Sequence, residues 1–295
     1  MSDPSDLTSE HWKGIKPVSK HWYNVIDKLD SGDYTETYLV AQSVTEADKE
    51  SISQGGGKTF ALKILTGEQD EDVETFKNER AFLLTNDHPS ILDCNDMGEW
   101  NGHPFYVSEY HPDSLKDLIE IRSNPTNGKK VTLATQLVSA LVELEKSGVV
   151  HRDVKPDNIL VIGHQCVLGD FGLMLFEEES VENKYRFSKN YPAPEFADDQ
   201  AVGEITSKAN VFQLGLVIAK LFTGENPANR TDKNGDQIEY NERDDLGKIR
   251  CNTSDEVEDL LNRMLTKNVE DRPSATDIIG EWGEIQEKET ENSLI

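Results

Sequence analysis

The chain is poor in positive charge: 30 Lys and Arg stand against 56 Asp and Glu, a formal net charge of −26 over 295 residues. So large an excess of carboxylates repels phosphates. It excludes nucleic acid and anionic membrane surfaces as partners and favours basic peptides or proteins, with a dependence on ionic strength. The alternative is a solubility or salt adaptation tied to no partner. Cysteine is scarce, and Cys94, Cys166 and Cys251 are scattered in a way that fits neither a disulfide framework nor a zinc site. No apolar run approaches the ~20 residues a membrane span needs. The acidic stretch Met1 to Glu10 lacks the apolar core of a signal peptide. These absences point to a cytoplasmic protein, with length enough for one large domain or two lobes with a cleft between them. Nothing in the sequence bears on oligomeric state.

What is present is concentrated between residues 151 and 172. His151-Arg152-Asp153-Val154-Lys155-Pro156-Asp157-Asn158 is a short polar loop after a long apolar helix pattern, and Gly169-Asp170-Phe171-Gly172 follows it. Asp153 and Asn158 are five apart, and Asp170 comes twelve residues later, behind Val161-Ile162 and Val167-Leu168. Two short strands between these residues would bring all three polar side chains to one mouth. Phosphoryl transfer needs that arrangement: an acid to accept a hydroxyl proton, and oxygen ligands to hold Mg²⁺ on the phosphates. Asp153 suits the base, Asn158 and Asp170 suit the metal, and Lys155 can offset charge on the transferring phosphate.

This stretch resembles the catalytic loop and metal-binding motif of the eukaryotic-type (Hanks-type) serine/threonine protein kinase family. The resemblance implies an α+β, bilobal protein kinase-like fold. A small β-rich N-lobe and hinge would span 22–110 and a larger, mainly helical C-lobe 111–284, between a polar leader (1–21) and a polar tail (285–295). It also implies an enzyme that moves the γ-phosphoryl group of ATP, carried with Mg²⁺ or Mn²⁺, onto a protein hydroxyl.

Further motifs extend the resemblance. Val25–Leu29 and Thr37–Ala41 place β-branched and aromatic residues on either side of a turn at Asp30–Asp33, the pattern of a hairpin. It aligns with the family's glycine-rich loop over the ATP phosphates, with Leu29, Gly32 and Thr37 among the nucleotide-binding positions. Of three glycines only Gly32 remains; Asp30 and Thr35 take the other two positions. Asp30 and Asp33 set negative charge near an anionic nucleotide, which weakens ATP binding. Residues 43–57, ending in Gly55-Gly56-Gly57, read as a linker, since no helix-forming run follows. Phe60–Leu65 is an apolar strand interrupted by Lys63, and a lysine in a buried run needs a carboxylate. Glu79, sixteen residues on, lies on a helix read as Val73–Leu84. By resemblance Lys63 holds the α and β phosphates and Glu79 fixes its side chain. Pro104–Tyr110 resembles the fifth strand and hinge. Backbone groups of Glu109 and His111 would meet the adenine edge, Ser108 would be a small gatekeeper, and Ala61 and Leu160 would lie above and below the ring.

Helical periodicity marks 114–122 and 131–147, and Gly148 punctuates its end. His151, with no companion histidine nearby, reads as a packed structural residue. By resemblance, Asp170–Glu195 is an activation segment, with Tyr191 as platform and Ser188 as the hydroxyl that contacts the catalytic aspartate and lysine. Lys184 stands where a phosphate read by Arg152 most often sits. Glu177, Glu178, Glu179 and Glu182 are expected to replace that phosphate, with phosphorylation of Ser180 or Ser188 as the alternative. Asn210 occupies the place of an aspartate that supports the catalytic-loop backbone, and Arg272 matches a buried arginine paired with Glu195. Residues 225–247 read as an acidic insert that helps dock substrate, and Asp157, on the substrate side, favours basic residues near the acceptor. The other reading is a pseudokinase acting as a binding or scaffolding module, on the strength of the eroded glycine loop and Asn210. A small-molecule phosphotransferase would not be expected to carry Lys155-Pro156, Ala193-Pro194-Glu195 or Asp271-Arg272-Pro273.

Overall fold

The computed structural model describes residues 22–43, 58–120, 125–177, 187–188, 190–197, 205–229, 249–251 and 253–292. The expectations for the leader, the triple glycine, Glu178, Glu179, Ser180, Glu182, Lys184 and most of the acidic insert lie outside them. Two compact units divide the chain, Met1–Asp87 with Leu92–Tyr110, and His88–Ile91 with His111–Ile295.

The first unit is built on an antiparallel sheet of β1 (Trp22–Ser31), β2 (Thr35–Ser43), β3 (Thr59–Leu65), β4 (Asp96–Trp100) and β5 (His103–Glu109), in the order β1-β2-β3-β5-β4. Alternation along β3 sends Phe60, Leu62 and Ile64 into a core with Tyr23, Tyr38 and Val40, while Lys63 takes the opposite face. Each such side chain stabilises the sheet by about 1.5–3 kcal/mol on burial. Asn101 and Gly102, both at positive φ, turn β4 into β5.

The β1–β2 turn is tighter than the sequence pattern indicates. Asp30 pairs with Thr37 and Ser31 with Glu36, so the turn falls at Gly32–Tyr34 rather than Asp30–Asp33. The Gly32 N–H donates to Thr35 O at 2.8 Å and closes it. Tyr34 folds inward, and its carbonyl accepts the N–H groups of Thr66 and Gly67 at 2.8 and 3.0 Å. A Cβ on Gly67 would come within 2.7 Å of Tyr34 Cβ, so only glycine permits this approach. Helix α1 (Asp70–Thr85) begins three residues before the Val73 expected from periodicity. Asp70, Glu71 and Asp72 extend it, because carboxylates favour the positive end of the helix dipole.

The second unit is mainly helical. Helix α2 (Leu115–Glu120) is closed by a reciprocal cap in which Asp117 Oδ2 accepts from Ser114 N and Oγ at 2.9 and 2.6 Å. Helix α3 (Asn127–Lys146) starts earlier than 131 because Thr126 Oγ1 accepts the Lys129 N–H at 3.3 Å. Gly148, at φ 62°, ends it as expected. Short strands follow: β6 (Val149–Val150) pairs with β9 (Leu175–Phe176), and β7 (Ile159–Ile162) with β8 (Gln165–Leu168). A 3₁₀ turn, Pro156–Asn158, leads into β7. Then come α4 (Pro194–Ala197), α5 (Lys208–Thr223), α6 (Asp255–Met264) and α7 (Ala275–Asn292).

Helix α5 is buried on all sides from Ala209 to Ala219, and α3 packs on both α5 and α7. Trp282 of α7 has no exposed surface. The stretch 285–295 that reads as a polar tail is helical through Asn292, with Lys288 Nζ 3.2 Å from Glu256. A sheet with one helix in the first unit and a helical second unit make up the α+β fold class that the resemblance implies.

Candidate active site

In the first unit, Lys63 projects from β3 and Glu79 from α1. Lys63 Nζ lies 2.9 and 3.2 Å from the Glu79 oxygens, and Glu79 has no exposed surface. Register makes Tyr106 of β5 the direct partner of Lys63, and its hydroxyl donates to Glu79 Oε1 at 3.0 Å. A buried carboxylate needs such partners, and here it has a cation and a phenol. Tyr106 is a participant that sequence reasoning missed; counting the β3–β5 register would have found it.

The other first-unit candidates are held by the sheet. Leu29 is 39% exposed on β1, and Thr37 and Ala61 are half-buried. Ser108, opposite Ala61, is buried. Exposed Glu109 lies 3.3 Å from Lys58 Nζ. Asp30 and Asp33 are exposed at the turn that holds Gly32. Next to that turn, Glu36 is buried beneath Tyr38 and Lys28, accepting from the Tyr38 hydroxyl and, at 2.5 Å, from Lys28 Nζ.

In the second unit the β7–β8 hairpin gathers the polar residues of 151–172. Ile159 pairs with Leu168, and the Gly169 N–H donates to Asn158 O at 2.9 Å, so Asp170 follows directly on a residue bonded to Asn158. Asn158 Nδ2 donates to Asp153 O and Oδ2 at 2.9 and 2.8 Å, and Lys155 Nζ donates to the same Oδ2 at 2.7 Å. Asp153 Oδ1 is buried with no hydrogen-bond partner. A buried, unpaired carboxylate oxygen is costly, by about 1–3 kcal/mol. Leu160 of β7 and His111 are half-buried.

His151 is fully buried and packs its ring on Phe171, with centroids 4.5 Å apart. Its Nδ1 accepts the Asp153 N–H at 3.3 Å, which leaves Nε2 to donate to Gly169 O at 3.1 Å. Burial pushes its pKa below the usual value, against the pull of Asp153 and Asp170. It is therefore a neutral tie between the Asp153 loop and the Asp170 loop. Arg152 and Asp170 hold φ of 66° and 57°, conformations costing on the order of 1–3 kcal/mol each in non-glycine residues.

The carboxylates expected to face Arg152 are only partly visible. Glu177 accepts the Ser207 N–H at 2.5 Å and caps α5 instead, while Arg152 Nε donates to Leu173 O. Ser188 is buried, and its backbone N–H donates to Arg152 O at 3.1 Å. Asp157 pairs with Lys116 Nζ at 2.9 Å, which raises the lysine's pKa. Burial, then Asp157 and Glu120, push the Tyr191 hydroxyl pKa up. Arg272 meets Glu195 through two parallel bonds of 2.8 and 3.1 Å.

Among the described residues no three His, Cys, Asp or Glu side chains gather around a point that could hold a metal ion. Asn158 and Asp170 supply two hard oxygens, a set that fits a Mg²⁺ whose remaining ligands are phosphate and water.

A family model of the protein kinase domain matches residues 23–282. Serine/threonine-protein kinase cds1 of Schizosaccharomyces pombe is 28% identical over 285 residues, covering 90% of this chain and 58% of that protein. Serine/threonine-protein kinase DCLK1 of Rattus norvegicus is 28% identical over 260 residues, 83% of this chain and 59% of its own length. PrkC of Bacillus subtilis, also a serine/threonine-protein kinase, is 27% identical over 214 residues, 70% of this chain and 31% of its own. The chain thus spans less than two thirds of each of these relatives. With a match that runs through both units, from β1 to α7, the chain belongs to the protein kinase domain family.

Proposed function

We propose that the chain is a serine/threonine protein kinase, transferring the γ-phosphoryl group of ATP to a protein hydroxyl. The observation that carries this reading is Asp153, with one oxygen held by Lys155 and Asn158 and the other unpaired. Such a carboxylate is oriented to accept a proton from an incoming hydroxyl. Lys155 would steady charge on the transferring group, and Asn158 and Asp170 would hold Mg²⁺. When bound, the ion neutralises phosphate charge. Lys63, fixed by Glu79, would hold the α and β phosphates, with Gly32, Leu29, Thr37, Ala61, Glu109, His111 and Leu160 completing the nucleotide contacts. Three free, buried cysteines suit a reducing compartment, which supports a cytoplasmic location.

The acidic chain supports a basic protein substrate and argues against nucleic acid or a membrane surface. The Asp157–Lys116 pair is half-exposed, and pairs of that kind are weak enough for a substrate cation to displace. The test is phosphate transfer from ATP to histone, with and without Mg²⁺. Transfer that requires Mg²⁺ and weakens above ~0.15 M salt is expected. Nucleotide binding without transfer to any protein would favour the scaffolding reading instead.

The turn offers a second measurement. Replacing Asp30 with Gly and Asp33 with Asn removes two exposed negative charges, and KM for ATP is expected to fall roughly two- to fivefold. An unchanged KM would mean that these carboxylates lie outside the field of the phosphates.

A further inference from the structure

We infer that Gln213 is a positioning residue that sets the Asp153 peptide and ties it to the Tyr191 segment; this rests on the kinase reading above. Helix α5 carries two fully buried amides, Asn210 and Gln213, in an otherwise apolar run from Ala209 to Ala219. Three residues apart, they share one helix face. A buried amide is stabilising only where its hydrogen bonds are made, so the partners of these two show what the helix holds.

Asn210 grips the entry to the loop, accepting the His151 N–H at 2.8 Å and donating to Val149 O at 2.9 Å. Gln213 grips further on. Its Nε2 donates to Arg152 O at 3.0 Å and to Tyr191 O at 2.7 Å. The Arg152 carbonyl belongs to the peptide unit whose N–H is that of Asp153, so its direction sets how Asp153 leaves the loop. Arg152 itself is held at φ 66°, so the loop carries backbone strain next to this carbonyl. The Ser188 N–H meets the same carbonyl at 3.1 Å. One NH₂ group thus fixes the direction of the Arg152 carbonyl and bonds the segment containing Tyr191.

Gln213 Oε1 has no hydrogen-bond partner. The donating end alone is in use, which makes the position unusually clean to test. Gln213→Met keeps the length and apolar bulk, removes both donors and sacrifices no accepted bond. Gln213→Glu keeps the shape, but it can donate only when protonated, and burial holds a carboxyl protonated to higher pH than usual.

The experiment measures kcat and KM on the whole chain across pH 6–8, together with amide hydrogen exchange over residues 149–155 and 190–195. Gln213→Met is expected to lower kcat about tenfold or more, with KM for ATP within about twofold, because a misplaced Asp153 costs rate and not nucleotide affinity. Gln213→Glu is expected to regain activity relative to the parent as pH falls. Exchange over both stretches should rise in Gln213→Met whether or not the chain transfers phosphate, so a failure of the kinase reading is seen separately. A kcat within twofold of the parent, or exchange unchanged in both stretches, overturns the inference. Should Gln213→Met fail to fold, a Gln213→Glu profile parallel to the parent's across the pH range overturns it equally.

Discussion

Asp153→Asn is expected to lower kcat by about 10²- to 10⁴-fold while leaving nucleotide affinity and the melting temperature close to those of the parent, the range a general base contributes. The two carboxylate oxygens do different things. Oδ2 receives Lys155 Nζ at 2.7 Å and Asn158 Nδ2 at 2.8 Å, and an asparagine oxygen placed there accepts both as well. Oδ1 is the buried atom with no partner, and the substitution turns it into an NH₂ group. The substituted residue can no longer take a proton, and it presents a donor where the substrate hydroxyl would also donate. The loop, held by Asn210, Gln213 and His151, has no reason to move. Steady-state kinetics beside a thermal melt checks this, and a kcat within tenfold of the parent would remove Asp153 from the base role.

The second large effect is on stability. Arg272→Ala is expected to destabilise the second unit by about 3–5 kcal/mol, because it strands a buried carboxylate. All five guanidinium N–H donors are used: two bonds to Glu195, and one each to the carbonyls of Thr266, Lys208 and Lys267. The guanidinium carbon also lies 4.8 Å from the Phe212 ring centre. The side chain therefore fastens α4, the start of α5 and the loop after α6 at one point. Arg272→Lys is expected to lose most of the same stability, since an ammonium cannot make the paired bond to Glu195 and still reach three carbonyls. On a unit of this size the loss corresponds to a drop in Tm on the order of 10 °C. A loss under about 1 kcal/mol in urea would show that Glu195 finds water or another cation when Arg272 is gone.

Both predictions concern groups that the sequence identifies, yet the reasons for their size are tertiary. The stretch from His151 to Gly172 is legible because its chemistry is local: acid, amide and acid are brought together by one short hairpin, and their spacing carries that information. Lys63 is legible because a cation in an apolar strand demands a carboxylate, and sixteen residues on there is one on a helix. Periodicity likewise marks α2 and α3, since a helix that buries a face must repeat apolar residues at its own pitch.

Helices α1 and α3 begin three and four residues before their hydrophobic pattern does, because an acidic first turn and a threonine cap add turns that the pattern cannot register. The β1–β2 turn lies past Asp30, because strand pairing continues through Asp30 as far as Ser31, although Asp30 and Asp33 both read as turn residues. Tyr106 reaches Glu79 only through the register of two strands, and Gln213 reaches Arg152 from 61 residues away. Glu177, one of four carboxylates expected to oppose Arg152, caps α5 instead. Residue type and spacing determine which groups meet when the chain between them is short and has one way to fold. When the partners lie far apart, many pairings satisfy the same pattern. Packing of the core then decides which buried donor meets which carbonyl, because only the assembled helices exclude the water that would otherwise satisfy both.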